Sequence, residues 1–154
     1  MTACPKPTKT KKTKKKERGL SNSNLLRLRR EVVLKLFGNC CFFCGLPKGQ
    51  VEIEDHHIVK RKMFLLRFDW RNGLPVCKYG CHQNAETPWG KHKIDEYLVN
   101  NNFLTYLQDR SGNCKDFLVK SGMSKTEYKR FIYDDLKAKL QELENVFFHR
   151  RRTL

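Results

Sequence analysis

A chain of 154 residues is long enough for one domain with a modest core. Its 32 lysines and arginines against 16 acidic residues give a formal net charge of +16, which predicts a polyanionic partner, with nucleic acid favoured over an anionic membrane. No apolar stretch approaches the ~20 residues needed to span a bilayer, and the N-terminus lacks the apolar segment of a signal peptide, so we expect a cytoplasmic protein with no membrane partner.

The first residues are strongly basic. Residues 1–18 carry eight lysines and arginines against one acid, Glu17, with almost no apolar side chains. Such a segment cannot bury enough surface to fold alone, so residues 1–19 are predicted to form a disordered basic tail. The tail could lie along phosphates, or it could serve only as a solubilising segment or a localisation signal.

A first helix is predicted from a cap at Ser23 or Asn24 to a stop at Gly38. Its apolar residues recur at helical spacing: Leu25, Leu28, Val32 and Leu36. The rest of the helix is basic: Arg27, Arg29, Arg30 and Lys35. We expect the apolar stripe to pack on a metal centre while the basic side faces outward, either toward phosphates or only toward water.

The cysteines predict a metal site. Their number, seven, is odd, and four of them form two short-spaced pairs, which favours a metal in a reducing compartment over a disulfide framework. The pairs are Cys41-Phe-Phe-Cys44 and Cys77-Lys-Tyr-Gly-Cys81, and a tetrahedral zinc takes four sulfurs from two such turns. Cys40 could replace Cys41, and His82 could replace one of the cysteines; the alternative is a set of buried free thiols.

A hairpin is predicted between the two cysteine pairs. The alternation Val51-x-Ile53 runs into residues 55–58 as a first strand, and residues 74–76 form the return strand after an Asn72-Gly73 turn. The connection between the strands, residues 60–71, is long and rich in basic and apolar side chains.

The C-terminal part is predicted to be helical. Pro88 and Gly90 interrupt a first helix after His82, and two short helices follow, at residues 91–99 and around residues 103–107. The longest helix begins at the capping box Ser124-x-x-Glu127 and ends in a basic run at residues 150–152. One face of this helix is apolar: Tyr128, Phe131, Ile132, Leu136, Leu140, Leu143 and Phe147.

Three histidines fall on or beside the predicted hairpin. Neighbouring strand residues point to opposite sides, so His56 could hold a cation together with His82 while His57 reaches a water molecule. A histidine suits the role of base for phosphodiester hydrolysis because its ordinary pKa lies near 6.5. Asp55 could instead supply a harder oxygen ligand, leaving His56 without a role, and Asn72 before a glycine could be an ordinary turn residue.

The strings CFFCG, DHHIV, RFDWRNGLPVC and CH, over residues 38–85, resemble the HNH endonuclease pattern. Leu66-Arg67-Phe68-Asp69 also resembles small phage-type members, which implies a bacterial or phage-infected cell. The resemblance implies an α+β fold with a small ββα-metal core and a Cys4 zinc site, surrounded by helices that include the long C-terminal one. It also implies an enzyme that hydrolyses DNA.

The resemblance further implies roles for single residues. His57 would be the general base, His56 and His82 would be ligands of the catalytic cation, and Asn72 would brace the loop and orient the base. His92 could add a third ligand, although its distance from His82 departs from that of the relatives. Magnesium or manganese commonly supports cleavage in the family, while imidazole ligands also suit zinc or nickel.

Basic residues of the connection between the strands complete the predicted site: Lys60, Arg61, Lys62, Arg67 and Arg71 are expected to hold phosphates. The predicted organisation is a tail at residues 1–19, a nuclease domain with its N-terminal helix at 20–110, and a helical extension at 111–154. The alternative is a non-catalytic zinc-dependent nucleic-acid-binding or accessory protein, with the last helix as a docking surface for a protein partner.

Overall fold

A computed structural model describes the backbone of residues 20–152 and the side chains of residues 20–146. Within this range the fold is α+β, as predicted, with six helices and one two-stranded antiparallel sheet. The elements in chain order are α1 (Asn22–Leu36), β1 (Ile53–His57), a 3-10 turn (Trp70–Asn72), β2 (Gly73–Cys77), α2 (Cys81–Asn84), α3 (Pro88–Asn100), α4 (Leu104–Ser111), α5 (Cys114–Ser121) and α6 (Lys125–Arg152). The predicted tail at 1–19 lies outside the described residues.

Helix α1 begins earlier than the sequence indicated. Ser21 is the cap, because its hydroxyl accepts a hydrogen bond from the Asn24 backbone N–H at 3.2 Å, so the predicted caps Ser23 and Asn24 were wrong. The helix ends before Gly38, whose φ of +63° suits the predicted stop. A second correction concerns Arg29, which is fully buried and does not belong to the outward basic side.

The hairpin forms at the predicted place. Strands β1 and β2 pair antiparallel, from Ile53 opposite Cys77 to His57 opposite Gly73. Every residue of β2 is buried, whereas β1 is half-buried after Ile53. Strand β2 therefore lies inside the protein, and β1 carries its histidines at the edge of the core.

Helix α3 is longer than predicted. Thr87 caps it by accepting a hydrogen bond from the Gly90 N–H at 3.0 Å, and Pro88 occupies the first turn, where proline needs no donor. Pro88 therefore begins the helix and does not interrupt it. Helix α5 was not predicted, because it has only eight residues and three of its apolar residues, Phe117, Leu118 and Val119, are consecutive, which gives no clear helical period.

Helix α6 joins the core of the rest of the chain. The capping box is confirmed, since the Ser124 hydroxyl accepts from the Glu127 N–H at 3.2 Å and the Glu127 carboxylate accepts from the Ser124 N–H at 2.7 Å. The buried residues of α6 share one apolar cluster with α1: Tyr128, Ile132, Leu136 and Leu140. Phe131 is 43% exposed, so its assignment to this face was wrong. None of the helices in the described part is long and apolar enough to cross a membrane.

The α6 helix also contacts the long connection between the strands. The Tyr128 hydroxyl donates to the Leu65 carbonyl at 2.8 Å, and the Trp70 indole N–H donates to the Asp135 carboxylate at 2.9 Å. The connection is therefore packed between α1 and α6 and is held at both ends of its buried part.

Candidate functional site

The four predicted cysteines come together. The sulfur atoms of Cys41, Cys44, Cys77 and Cys81 all lie within 4.8 Å of one another, and those of Cys44 and Cys77 are 3.4 Å apart. A tetrahedral zinc with bonds near 2.3 Å places its sulfurs roughly 3.8 Å apart, so the cluster can hold a metal such as zinc with little movement. Cys40 is not in the cluster; its thiol donates to the Gly38 carbonyl at 3.4 Å.

The backbone around the first cysteine pair favours a thiolate. Burial acts to raise the pKa of Cys41, but the backbone N–H groups of Cys44, Phe43 and Cys77 donate to its sulfur and lower that pKa to about 7. Burial raises the pKa of Cys81 to about 11 and raises that of Cys77 as well, with neighbouring sulfurs adding to both shifts. Four thiolates at this separation need a cation between them.

A cleft beside the hairpin contains all three predicted histidines. Its volume is about 770 Å³, and it lies between α1, β1 and the start of α2. The residues that line it are Leu26, Arg27, Arg30, Glu52, Glu54, Asp55, His56, His57, Lys60, Arg61 and His82. His92, on α3, is exposed and is not among them, so the structure does not bring this residue to the other histidines.

His57 has a defined ring orientation. Its Nε2 lies 3.1 Å from the backbone carbonyl oxygen of Arg67. A carbonyl can only accept, so Nε2 carries the proton and Nδ1 keeps its lone pair. Burial, reinforced by the nearby Arg29 cation, lowers the pKa of His57 to about 4. The ring is therefore neutral at physiological pH and has one nitrogen available to accept a proton.

His56 and His82 face each other. Their ring centroids are 5.1 Å apart and the rings are nearly perpendicular. Burial lowers the pKa of His56, and the neighbouring His82 lowers it further. Nδ1 of His82 lies 3.0 Å from a carboxylate oxygen of Glu54, which is two residues before His56 and so on the same face of β1. Two imidazoles with an acidic neighbour are a donor set that suits a divalent cation.

These histidines are less tightly gathered than the cysteines. Among residues 20–146, the only group of three or more donor atoms within 4.8 Å is the cysteine cluster. Asp55 was the only carboxylate predicted from the sequence near the histidine pair, and two others were missed. Glu54 bonds to His82, and the charge of Glu86 acts to raise the pKa of His56. Strand alternation from His56 would have indicated Glu54, and the spacing of one helical turn from His82 would have indicated Glu86.

Asn72 is buried and fully bonded. Its side-chain oxygen accepts from the Val59 N–H at 2.6 Å, and its amide donates to the carbonyls of Val59 and Leu66 at 3.0 and 3.1 Å. Asn72 thus ties Val59, two residues after β1, to the connection between the strands. This is more than an ordinary turn residue does; the orientation of a base by Asn72 stays a prediction.

Arg29 is an unpredicted part of the site. Its guanidinium donates to the carbonyls of Asp69 and Asn72, both at 2.9 Å, and to the carboxylate of Asp55. The Asp55 carboxylate, the alternative metal ligand, is therefore engaged by Arg29 through one oxygen. A signal was available, because position 29 follows Leu25 by four residues and precedes Val32 by three, on the apolar stripe of α1.

The predicted phosphate-binding residues are distributed unevenly. Lys60 and Arg61 line the cleft, whereas Lys62, Arg67 and Arg71 do not. The Arg71 guanidinium donates to Asp135 at 2.9 Å and to Asp69 at 3.2 Å, and it lies over the rings of Trp70 and Tyr106. Arg71 therefore binds the 3-10 turn, α4 and α6 of its own chain, away from the cleft.

Comparison with known proteins adds nothing to this geometry. No protein-family model matches the chain, and neither the search of curated proteins nor the search of solved structures found a match. The similarity to HNH endonucleases consequently rests on the sequence motifs alone.

Proposed function

We propose that this protein is a metal-dependent endonuclease of the HNH type that hydrolyses phosphodiester bonds of DNA. The observation that carries the proposal is the anchored ring of His57, neutral and with Nδ1 able to accept a proton, in the same cleft as His56 and His82. The cysteine cluster would hold a structural zinc beside this cleft.

Each histidine then has a chemical role. A water molecule attacks phosphorus and His57 Nδ1 takes its proton. The bond from phosphorus to the 3′ oxygen breaks, and this oxygen keeps the electron pair and takes a proton from solvent water to become the 3′ hydroxyl. The Arg67 carbonyl keeps the ring of His57 in the tautomer that this step needs. His56 and His82 would hold a divalent cation, which supplies positive charge for the departing oxygen when bound.

The proposal is tested by nicking of supercoiled plasmid in the presence of manganese or magnesium. Removing a general base costs about 10²–10⁴ in rate, so we expect His57→Ala to lose activity by such a factor. His92→Ala is the matched control, because His92 is an exposed histidine outside the cleft and its loss should leave the rate unchanged. Nicking by His57→Ala at the rate of the unmodified protein would contradict the proposal.

The choice of cation is part of the proposal. Imidazole donors favour manganese over magnesium, so we expect activity with manganese to be at least as high as with magnesium. Zinc or nickel are further candidates for these donors. Inactivity with both manganese and magnesium, combined with activity in zinc, would contradict this choice of cation.

A second candidate is a zinc-dependent nucleic-acid-binding or accessory protein without catalysis. The observation that favours it is the wider spacing of the histidine donors compared with the cysteines. A protein partner would have to use the exposed side of α6, since the apolar side packs on α1. Zinc-dependent DNA binding without nicking, in any of the four cations, would support this candidate over the nuclease.

A further inference from the structure

We propose that α1 takes part in binding the nucleic acid: Arg27 and Arg30, together with Lys60 and Arg61, form a groove that holds backbone phosphates next to the histidines. This inference rests on the proposed function for the identity of the ligand. It assigns a role to two arginines of α1, a helix outside the hairpin. It assigns none to three residues that the sequence predicted to hold phosphates: Lys62, Arg67 and Arg71.

The four basic residues line the same cleft as the three histidines. Arg27 and Arg30 are three residues apart on α1 and therefore lie on one face of the helix. Lys60 and Arg61 come directly after the turn that follows β1, and both are exposed. Phosphates flanking a bond cut at His57 would thus meet cations from two separate parts of the chain.

The acidic residues of the cleft do not cancel these cations. Three acids line the cleft: Glu52 pairs with Lys78, Asp55 pairs with Arg29, and Glu54 is hydrogen-bonded to His82. Among residues 20–146, only Glu54 of these lacks a lysine or arginine partner, against four basic side chains. By contrast, the side chains of Lys60 and Arg61 make no hydrogen bond or ion pair with any other residue in the described range. The cleft therefore keeps a surplus of positive charge for an anionic ligand.

The arginines of α1 are held in position. One guanidinium nitrogen of Arg30 donates to the carbonyl of Ile53 at 3.0 Å, which fixes Arg30 against the first residue of β1. Arg27 bonds to Asn24 at 2.9 Å and pairs with Glu31 of the same helix at 3.6 Å, and its side chain is 65% exposed, so this ion pair is open to water and weak. A guanidinium held on a helix, with N–H groups still free to donate, suits the planar two-point recognition of a phosphate.

The test is the salt dependence of binding to a short DNA duplex, measured with the full chain and without added divalent cation. Log Kd changes with log salt by roughly 0.9 for each phosphate that a cation neutralises in duplex DNA. We expect the double variant Arg27→Gln/Arg30→Gln to lower this slope by up to about 1.8, and Lys60→Gln/Arg61→Gln to lower it similarly. Lys62→Gln is the matched control, because Lys62 is exposed on the same connection but outside the cleft.

A slope for Arg27→Gln/Arg30→Gln equal to that of Lys62→Gln and of the unmodified protein would overturn the inference. Zinc content and the thermal transition report whether each variant is folded. If the double variant does not fold, the exposed Arg27→Gln alone must still lower the slope by roughly 0.9. Arg30→Lys keeps the charge and is expected to keep the slope.

The same data separate this inference from the proposed function. A reduced slope in the groove variants, with no plasmid nicking by the unmodified protein, would support the phosphate groove and contradict the proposed nuclease activity. Nicking by the unmodified protein, with unchanged slopes in the variants, would support the nuclease activity and contradict the groove.

Discussion

The cysteine cluster and the histidine cleft are neighbours built in different ways. In the cluster, four sulfurs converge within 4.8 Å, and backbone N–H groups stabilise the thiolate of Cys41. In the cleft, the ring centroids of His56 and His82 are 5.1 Å apart. The ring of His57 is held by the Arg67 carbonyl, and the ring of His82 is held by the Glu54 carboxylate. A structural metal site is closed by its own ligands, while a catalytic site keeps a position open for water or substrate. The contrast between these two regions is what the proposed function, with a structural zinc in the cluster and a catalytic cation in the cleft, would require.

The largest expected effect is loss of the cysteine cluster. Binding of structural zinc contributes on the order of 10 kcal/mol to folding, more than the whole stability of many domains of this size, so Cys77→Ser is expected not to fold. Circular dichroism and zinc analysis would measure this. Cys114→Ser, a cysteine outside the cluster, should keep both the fold and the zinc. Full zinc content and a normal thermal transition in Cys77→Ser would show that the fold does not depend on a metal held by the cluster.

The second largest loss of stability is expected for Arg29, which joins α1 to Asp55 of the cleft. Arg29→Met leaves the Asp55 carboxylate without its partner, and breaking a buried ion pair in this way costs about 3–5 kcal/mol. Denaturant unfolding measures the loss. The double variant Arg29→Met/Asp55→Asn should recover part of it, because the unpaired charge is gone. Arg27→Met, on the exposed side of the same helix, should change stability by less than about 0.5 kcal/mol.

Asn72 should have a smaller effect on stability. Asn72→Ala removes three hydrogen bonds and leaves the partly buried N–H and carbonyl of Val59 without the partner that they have in Asn72, which costs about 1–3 kcal/mol. Urea unfolding would show it, with the exposed Asn100→Ala as a control that changes little. An Asn72→Ala protein as stable as the control would mean that the connection between the strands does not depend on this side chain.

The smallest change in stability is expected for His82, and it tests directly whether the cleft binds a cation. His82 has a side chain that is 43% exposed, so His82→Ala should change stability by less than about 0.5 kcal/mol when no divalent cation is added. Added manganese should raise the thermal midpoint of the unmodified protein and not that of His82→Ala, because only the former retains both imidazoles. Equal stabilisation of the two proteins would show that manganese binds elsewhere.

The parts of this molecule that the sequence predicted are those in which the signal is local. Cys41 and Cys44 are close in the chain, and so are Cys77 and Cys81, which leaves only the meeting of the two pairs to the fold. The capping box at Ser124 is likewise a four-residue pattern. In each case the atoms that must meet belong to residues at most four positions apart, so the spacing of the residues predicts the contact.

The parts that were missed depend on contacts between distant segments. The place of Arg29 on the apolar stripe of α1 could have indicated its burial, but its partners are far away in the sequence. Only the packing of α1 on the hairpin brings two backbone carbonyls and the Asp55 carboxylate to its guanidinium. Arg71 resembled a phosphate ligand, yet Asp135, far away in the sequence, binds it. Charge alone does not reveal where a cation will find its counter-ion.

The order of the ligands along the chain bears on how the protein is made. All four sulfur donors lie between Cys41 and Cys81, whereas the apolar cluster shared by α1 and α6 joins Leu25 to Leu140. Short loops cost less entropy to close than long ones, so a nascent chain should capture zinc before its last helix leaves the ribosome. Chains translated under zinc starvation should then be sensitive to protease, because α6 would have no folded α1 and hairpin to pack against.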